Sequence, residues 1–262
     1  MKTKIVLMLA IALNGYTSIC LNQGVQAFSA LPTEPVVAQT DSAPTSVQQQ
    51  AEQALANSMS SQSPTELESL REEFASLGER KNAAYWTAYL DYYLSVYYMF
   101  QKDQERSEEF VERAISTLED KDDKNTEDHA LLAITKSFSI MFSPGMKAAF
   151  ISGQVKEHAH QALELDSGNV RAYYALANND FYTPEAYGGG KQVEGYLKKA
   201  IALPEQTQEG EYMPSWGKDQ SYAMLVRYYL KKEQTDQAAK YYEEAVALYP
   251  ESDELKSIQD KF

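Results

Sequence analysis

The chain has 262 residues, which is enough for one large domain or two small ones with a substantial core. Apolar residues make up 44% and charged residues 24%, the usual balance of a soluble globular protein. The formal net charge of −14 excludes a general nucleic-acid-binding protein, because there is no basic excess to displace counterions from phosphates.

The N-terminus has the pattern of an export signal. Lys2 and Lys4 precede the apolar run Ile5–Leu13, which is too short to span a bilayer. Small residues at Val25 and Ala27 predict a signal peptide over residues 1–27. Cleavage there removes two lysines and no acidic residue, so the net charge changes from −14 to −16. We therefore predict a periplasmic or secreted protein with no transmembrane segment in the mature chain.

The single cysteine, Cys20, offers an alternative to a free mature protein. A lipid attached to Cys20 would anchor the chain to a membrane. Bulky Ile19 stands where a lipidation signal needs a small residue, so we treat the anchor as the minor alternative. Cleavage after Ala27 leaves a mature chain without cysteine and therefore without a disulfide.

The segment from Phe28 to Ser63 is rich in Pro, Ser, Thr, Gln and Ala and has few large apolar residues. Such a segment cannot bury enough surface to offset its ordering entropy, so residues 28–63 are predicted to be a flexible leader. Within it, Ala51–Met59 is predicted to be helical only transiently. The folded domain is predicted to span residues 64–262, with Ser63 as the N-cap of its first helix.

Beyond this leader, each long segment has apolar residues three and four positions apart, the spacing of one helix face. The stretches Tyr85–Tyr98 and Tyr222–Tyr229 both show it. No run alternates apolar and polar residues in the manner of a half-buried strand. We therefore predict an all-α fold with eight to ten helices after Pro64, antiparallel in pairs.

The C-terminal stretch Asp219–Ser252 carries an internal pattern of large and small residues. Tyrosine and leucine recur on its first helix, Ala238 and Ala245 lie on its second, and Pro250 follows. The small residues let two helices approach closely while aromatic side chains fill the space between them. This pattern resembles the 34-residue tetratricopeptide (TPR) repeat, with weaker copies over about residues 84–252. The resemblance implies a right-handed α-solenoid of antiparallel TPR-like helix pairs.

A second resemblance rests on short strings of residues. The strings RAYY from Arg171, YTPEAYGGGK over residues 182–191 and WGK from Trp216 are similar to those of a group of exported bacterial TPR-like proteins. This resemblance implies the fold and export. It implies no biochemical activity.

The glycines Gly188–Gly190, followed by Lys191, raise the question of a phosphate-binding loop. A P-loop needs a glycine where Glu185 stands, a serine or threonine where Gln192 stands, and a preceding strand. We therefore predict that this loop only turns a corner, after a helix that ends near Tyr182. The remaining functional alternative is anion capture by the amides at the start of the next helix.

No other motif predicts catalysis or metal binding. His158 and His160 are two positions apart, so on a helix they point away from each other, and His129 is predicted to stand alone. The sequence has no nucleophile elbow. We therefore predict a protein that is not an enzyme, with no metal site and no cofactor.

The TPR resemblance implies a concave surface that binds an extended peptide or a partner helix. We predict an exported, non-enzymatic interaction module or scaffold with a protein or peptide partner. The alternative is a small-solute-binding accessory subunit of an exported transport system. A deep pocket would favour the solute, and an open groove would favour the peptide.

The TPR resemblance also places the binding groove on particular residues. These are Tyr89, Tyr92, Arg171, Tyr174, Asn178, Phe181, Tyr182, Arg227 and Lys231. A groove that is aromatic at one end and basic at the other would select acidic or C-terminal carboxylate groups. The plainer interpretation is that Arg171 and Arg227 pair with acids on neighbouring helices.

Overall fold

The computed structural model describes residues 46–205 and 212–262. Within these ranges the chain is helical and has no strand, which confirms the all-α prediction. The predicted signal peptide, Cys20 and the leader as far as residue 45 lie outside the described residues.

The described residues form eleven α-helices. They are α1 Val47–Ser61, α2 Thr65–Ala75, α3 Ala83–Phe100, α4 Gln104–Glu119, α5 Thr126–Ser139, α6 Gly145–Leu165, α7 Val170–Tyr182, α8 Val193–Ala202, α9 Lys218–Lys231, α10 Thr235–Leu248 and α11 Asp253–Lys256. Ten of them follow Pro64 in the described part of the chain, which is within the predicted range.

Consecutive helices pack in pairs: α3 with α4, α5 with α6, α7 with α8, and α9 with α10. The first members also contact one another in chain order, from α3 to α5 to α7 to α9. Small residues make the close approach within a pair possible. In the first pair, the hydroxyls of Ser95 and Ser107 each donate to the other residue's carbonyl oxygen, at 2.6 and 2.8 Å. In the last pair, the predicted small residues Ala238 and Ala245 are fully buried.

The prediction of a flexible leader is wrong for its described part, because residues 47–61 form α1. Ser46 caps this helix, and the helix packs against α2 and α3. Its buried residues Val47, Ala51, Ala54 and Ser58 recur at helical spacing. Four small or medium side chains can fit closely against the aromatic surface of α3, so α1 needs no large apolar residues to be held there.

The predicted N-cap at Ser63 is also not observed. Helix α2 begins at Thr65, and Pro64 occupies the cap position without a side-chain hydrogen bond. The Ser63 hydroxyl lies 2.8 Å from the Thr65 hydroxyl instead. The predicted capping box therefore does not form.

The glycine loop turns a corner between α7 and α8. Gly188 and Gly190 have φ angles of +89° and +81°, which only glycine adopts at little cost. The amides of Gln192 and Val193 both donate to the Asp180 carboxylate, at 2.6 and 3.1 Å. Asp180 thus occupies the place that the anion-capture alternative assigned to an external ligand.

Candidate functional site

We refer to the nine predicted groove residues together as the inner face. The structure brings several of them close together. Burial raises the pKa of Tyr174 well above the usual value. Tyr92, Tyr182 and Arg227 lie near enough for their charges to shift this pKa as well. Phe181 and Lys231 also meet, with the Lys231 ammonium 4.6 Å from the centre of the Phe181 ring.

The arginines of the inner face are already paired. Arg171 is buried and forms a two-pronged ion pair with buried Glu127, and its third contact is the Trp216 carbonyl oxygen at 2.8 Å. Arg227 donates to the Glu254 carboxylate at 2.8 Å and to the Ser257 hydroxyl at 2.9 Å. This confirms the plainer interpretation of the two arginines. Two of the three cations at the predicted basic end are therefore paired with acids, whereas Lys231 lies over the Phe181 ring.

Other polar groups of the inner face are also bonded within the chain. The Tyr89 hydroxyl accepts from the Gln48 amide at 2.9 Å and lies 2.6 Å from the Tyr93 hydroxyl. Asn178 accepts from the Ser137 hydroxyl at 2.9 Å. Burial raises the pKa of both Tyr89 and Tyr93 well above the usual value.

Other segments of the chain lie on the inner face. Helix α1 contacts it through Gln48, and α11 contacts it through Glu254. The segment before α9 contributes buried Trp216, whose ring lies 6.0 Å from Tyr89 and 6.1 Å from Tyr174. Parts of the chain outside the four helix pairs therefore contact the surface that the repeat pattern assigned to a partner.

Acidic groups surround this region. Glu52 on α1 keeps much of its side chain accessible, yet enough protein lies around it that burial raises its pKa to about 7. Repulsion from Asp219 and Asp253 adds to the increase, while the Gln48 hydrogen bond opposes it. Burial also raises the pKa of Asp219.

A second candidate is a cleft between α4, α5 and α6, with a volume of about 280 Å³. Its apolar lining residues are Val111, Ile115, Phe142, Phe150 and Ile151. Its polar or charged lining residues are Glu108, Glu112, Ser116, Glu119, Lys136, Ser139, Ser143, Lys147 and Gln154. We call this site the α4–α6 cleft.

Helix α6, which lines one side of the cleft, is longer than its partner. Helix α5 ends at Ser139 after 14 residues, whereas α6 runs for 21 residues from Gly145. The first turns of α6 therefore leave apolar side chains in solvent. Met146 is 91% exposed and Phe150 is 68% exposed. The sequence signal was present, since Met146 and Phe150 lie four positions apart directly after Pro144 and Gly145, but no binding role was predicted for either residue.

The charges at the cleft differ in how they are held. Lys136 is buried and bonds to Glu119 at 2.6 Å, with Gln154 at 3.4 Å. Lys147 is exposed beside the cleft, opposite the acids of α4. The arrangement can hold an apolar body and offer one accessible ammonium to a carboxylate.

The histidines depart from the sequence prediction. His129 does not stand alone, because its Nδ1 lies 3.3 Å from Nδ1 of His158. Burial lowers the pKa of both imidazoles. Lys124 lowers the pKa of His129 further, and Lys136 lowers that of His158. No group of three or more His, Cys, Asp or Glu side chains suitable for a metal was found among residues 46–205 and 212–262. No helix in those ranges is long and apolar enough to cross a membrane.

Comparison with known proteins supports the fold. No protein-family model matches the chain, and no curated protein matches it. Among solved structures, the chain is similar to the HusA haemophore from Porphyromonas gingivalis, with 24% sequence identity and a TM-score of 0.50. The match covers 69% of this chain and 92% of that one. At this identity the similarity establishes a shared helical fold.

Proposed function

We propose that this chain is a non-enzymatic binding protein that holds an apolar ligand in the α4–α6 cleft. The observation that carries the proposal is the exposure of Met146 and Phe150 beside the apolar residues of the cleft. Soluble proteins seldom leave a contiguous apolar patch in water unless it has a partner. Covering such side chains contributes about 25 cal/mol per Å² of apolar area removed from water.

The lining of the cleft favours a ligand with a flat apolar body and a carboxylate. Phe142 and Phe150 can offer ring faces, and Lys147 can pair with a carboxylate. The acids on α4 disfavour a ligand with negative charge on every side. HusA is described as a haemophore, so haem, a flat ring system with two carboxylates, is the appropriate first probe.

Export is part of the proposal. It rests on the basic and apolar N-terminal pattern that ends near Ala27, which lies outside the described residues. We also propose that the helix pairs are TPR-type repeats stacked as a right-handed solenoid. The pairing of α3 to α10 and the ordered contacts of α3, α5, α7 and α9 support this arrangement.

Haem titration followed by absorbance tests the ligand proposal. The Phe150→Ala variant should bind haem at least about tenfold more weakly, because it removes exposed apolar contact area from the cleft. Leu165→Ala is the matched control, since Leu165 is a 60% exposed apolar residue at the other end of the same helix. Equal affinity in the two variants would contradict the assignment of the cleft.

The second candidate is a peptide or protein partner on the inner face. Its support is that Tyr92, Tyr174 and Tyr182 are only half-buried and lie close together. Half-buried tyrosines are typical of recognition surfaces, since they combine apolar area with a polar tip. A partner that co-purifies with the exported protein should be lost in Tyr182→Ala and kept in Phe150→Ala. The reverse result would favour the cleft.

A further inference from the structure

His129 on α5 and His158 on α6 face each other across the second helix pair. Their Nδ1 atoms are 3.3 Å apart, and their ring centres are 5.5 Å apart with 28° between the planes. Gln161, one turn further along α6, places its side-chain oxygen 3.0 Å from Nδ1 of His158. Two potential ligand atoms, one from each helix, therefore lie within 3.3 Å of Nδ1 of His158.

The helices that carry this pair are held tightly together. Ala130 and Ala133 of α5 and Ala159 and Ala162 of α6 are fully buried, so the two backbones approach closely. The Thr126 hydroxyl also donates to the Ala162 carbonyl oxygen at 2.9 Å. Because the two backbones are packed together, the backbone positions of His129 and His158 are fixed. Less conformational entropy is therefore lost when both rings bind the same metal ion.

The separation of the two nitrogens fits one metal ion. In a tetrahedral site with metal–nitrogen bonds of about 2.0–2.1 Å, two nitrogen ligands lie about 3.3–3.4 Å apart. We propose that His129 and His158 form a two-histidine site for a divalent transition metal such as Zn²⁺, Ni²⁺ or Cu²⁺. Gln161 and water supply the remaining ligands. Imidazole nitrogen is a preferred ligand of these ions.

Charged groups of both signs lie near the pair, and the lysines have the larger effect on the imidazoles. Lys124 faces His129 and Lys136 faces His158, while Asp128 and Glu157 supply negative charge on the two sides. Lys124 is held by the carbonyl oxygens of Glu119 and Lys121. A site with two histidines and no carboxylate ligand is weaker than a structural zinc site with four protein ligands, so we expect metal that exchanges with the solution.

Calorimetric titration of the chelator-treated protein with ZnCl₂ and with NiCl₂ at pH 7.5 tests this site. The parent should bind one equivalent, and His129→Ala and His158→Ala should each lower the affinity at least about tenfold. His160→Ala is the matched control, because His160 is exposed on the same helix two positions from His158. It should bind metal as the parent does.

Two further measurements identify the ligand atoms and check that the variants remain folded. The ¹⁵N chemical shifts of the His129 and His158 rings should change at Nδ1 when Zn²⁺ is added, which identifies the ligand atoms directly. Melting temperatures in chelator should be similar for all variants, and His158→Gln replaces His158→Ala if the latter unfolds. No binding by the parent, or equal losses in the His158→Ala and His160→Ala variants, would overturn the proposal.

Discussion

The inner face and the α4–α6 cleft differ in whether their side chains already have partners within the protein. The inner face carries the tyrosines and arginines that the repeat pattern marks for binding, yet its arginines pair with Glu127 and Glu254. The cleft carries no residue that the repeat pattern marks for binding, yet it leaves Phe150 and Met146 in water. A surface whose polar groups are already bonded has less to gain from a partner than one that exposes apolar area.

The contrast shows that a repeat pattern fixes where a side chain projects but not what meets it. Helix α1, α11 and the Trp216 segment all lie outside the paired helices, and each contacts the inner face. These additions use contacts that a partner would otherwise make. Four substitutions measure the contrast, two of them with a matched change at the cleft.

The largest effect is expected for Arg171→Ala on the inner face. Glu127 is buried, so removing Arg171 leaves a buried carboxylate without its ion-pair partner. We expect a loss of about 3–5 kcal/mol in the free energy of unfolding, measured by denaturant titration. Lys147→Ala at the cleft is the matched change and should cost less than about 0.5 kcal/mol. Similar losses in the free energy of unfolding for both variants would contradict the contrast between the inner face and the cleft.

A smaller effect is expected for Arg227→Ala. Its ion pair with Glu254 and its bond to Ser257 are partly accessible to solvent, so their loss should cost about 1 kcal/mol. The loss should be local, because these bonds connect α9 to α11. Amide hydrogen exchange should become faster at Lys256 and Ser257, whose amides donate to the carbonyl oxygens of Ser252 and Asp253. Unchanged exchange at these two amides would show that other contacts hold α11.

The third substitution, Glu52→Gln, should act through pH. The folded-state pKa of Glu52 is about 7, above the ordinary value near 4.5, so the folded protein holds a proton that the unfolded chain releases. Glu52 therefore lowers stability as pH rises from about 4.5 to 7. Glu52→Gln should match the parent at pH 4 and melt at a higher temperature at pH 8.

Glu112→Gln provides the control for this pH effect. Glu112 is exposed at the cleft, far in chain order from α1. Its substitution should leave the difference in melting temperature between pH 4 and pH 8 as it is in the parent. An equal change in both variants would assign the effect to the overall negative charge of the protein.

The smallest effect on stability is expected for Phe150→Ala. The ring is 68% exposed, so the folded protein gains little from it, and the free energy of unfolding should change by less than about 0.5 kcal/mol. Denaturant titration checks this value. A loss of about 3 kcal/mol or more, roughly the cost of truncating a buried Phe to Ala, would mean that Phe150 is part of the core.

The sequence alone predicted the all-α class, the paired helices and the burial of Ala238 and Ala245, because helical spacing and small residues are local signals. It also predicted that the glycines turn a corner. It did not predict why Gly189 is needed there. A Cβ atom at Gly189 would lie 2.0 Å from the Thr183 carbonyl oxygen, a contact set by the folded loop.

Tertiary structure alone decided which groups meet across long separations in the chain. Composition indicated a disordered leader, but α3 offers an aromatic surface on which the small residues of α1 pack. Arg171 and Glu127 are 44 positions apart, and His129 and His158 are 29 apart, so no local pattern connects either pair. Hydrophobic periodicity is a property of one helix, whereas ion pairing and ligand geometry depend on how two helices are placed together.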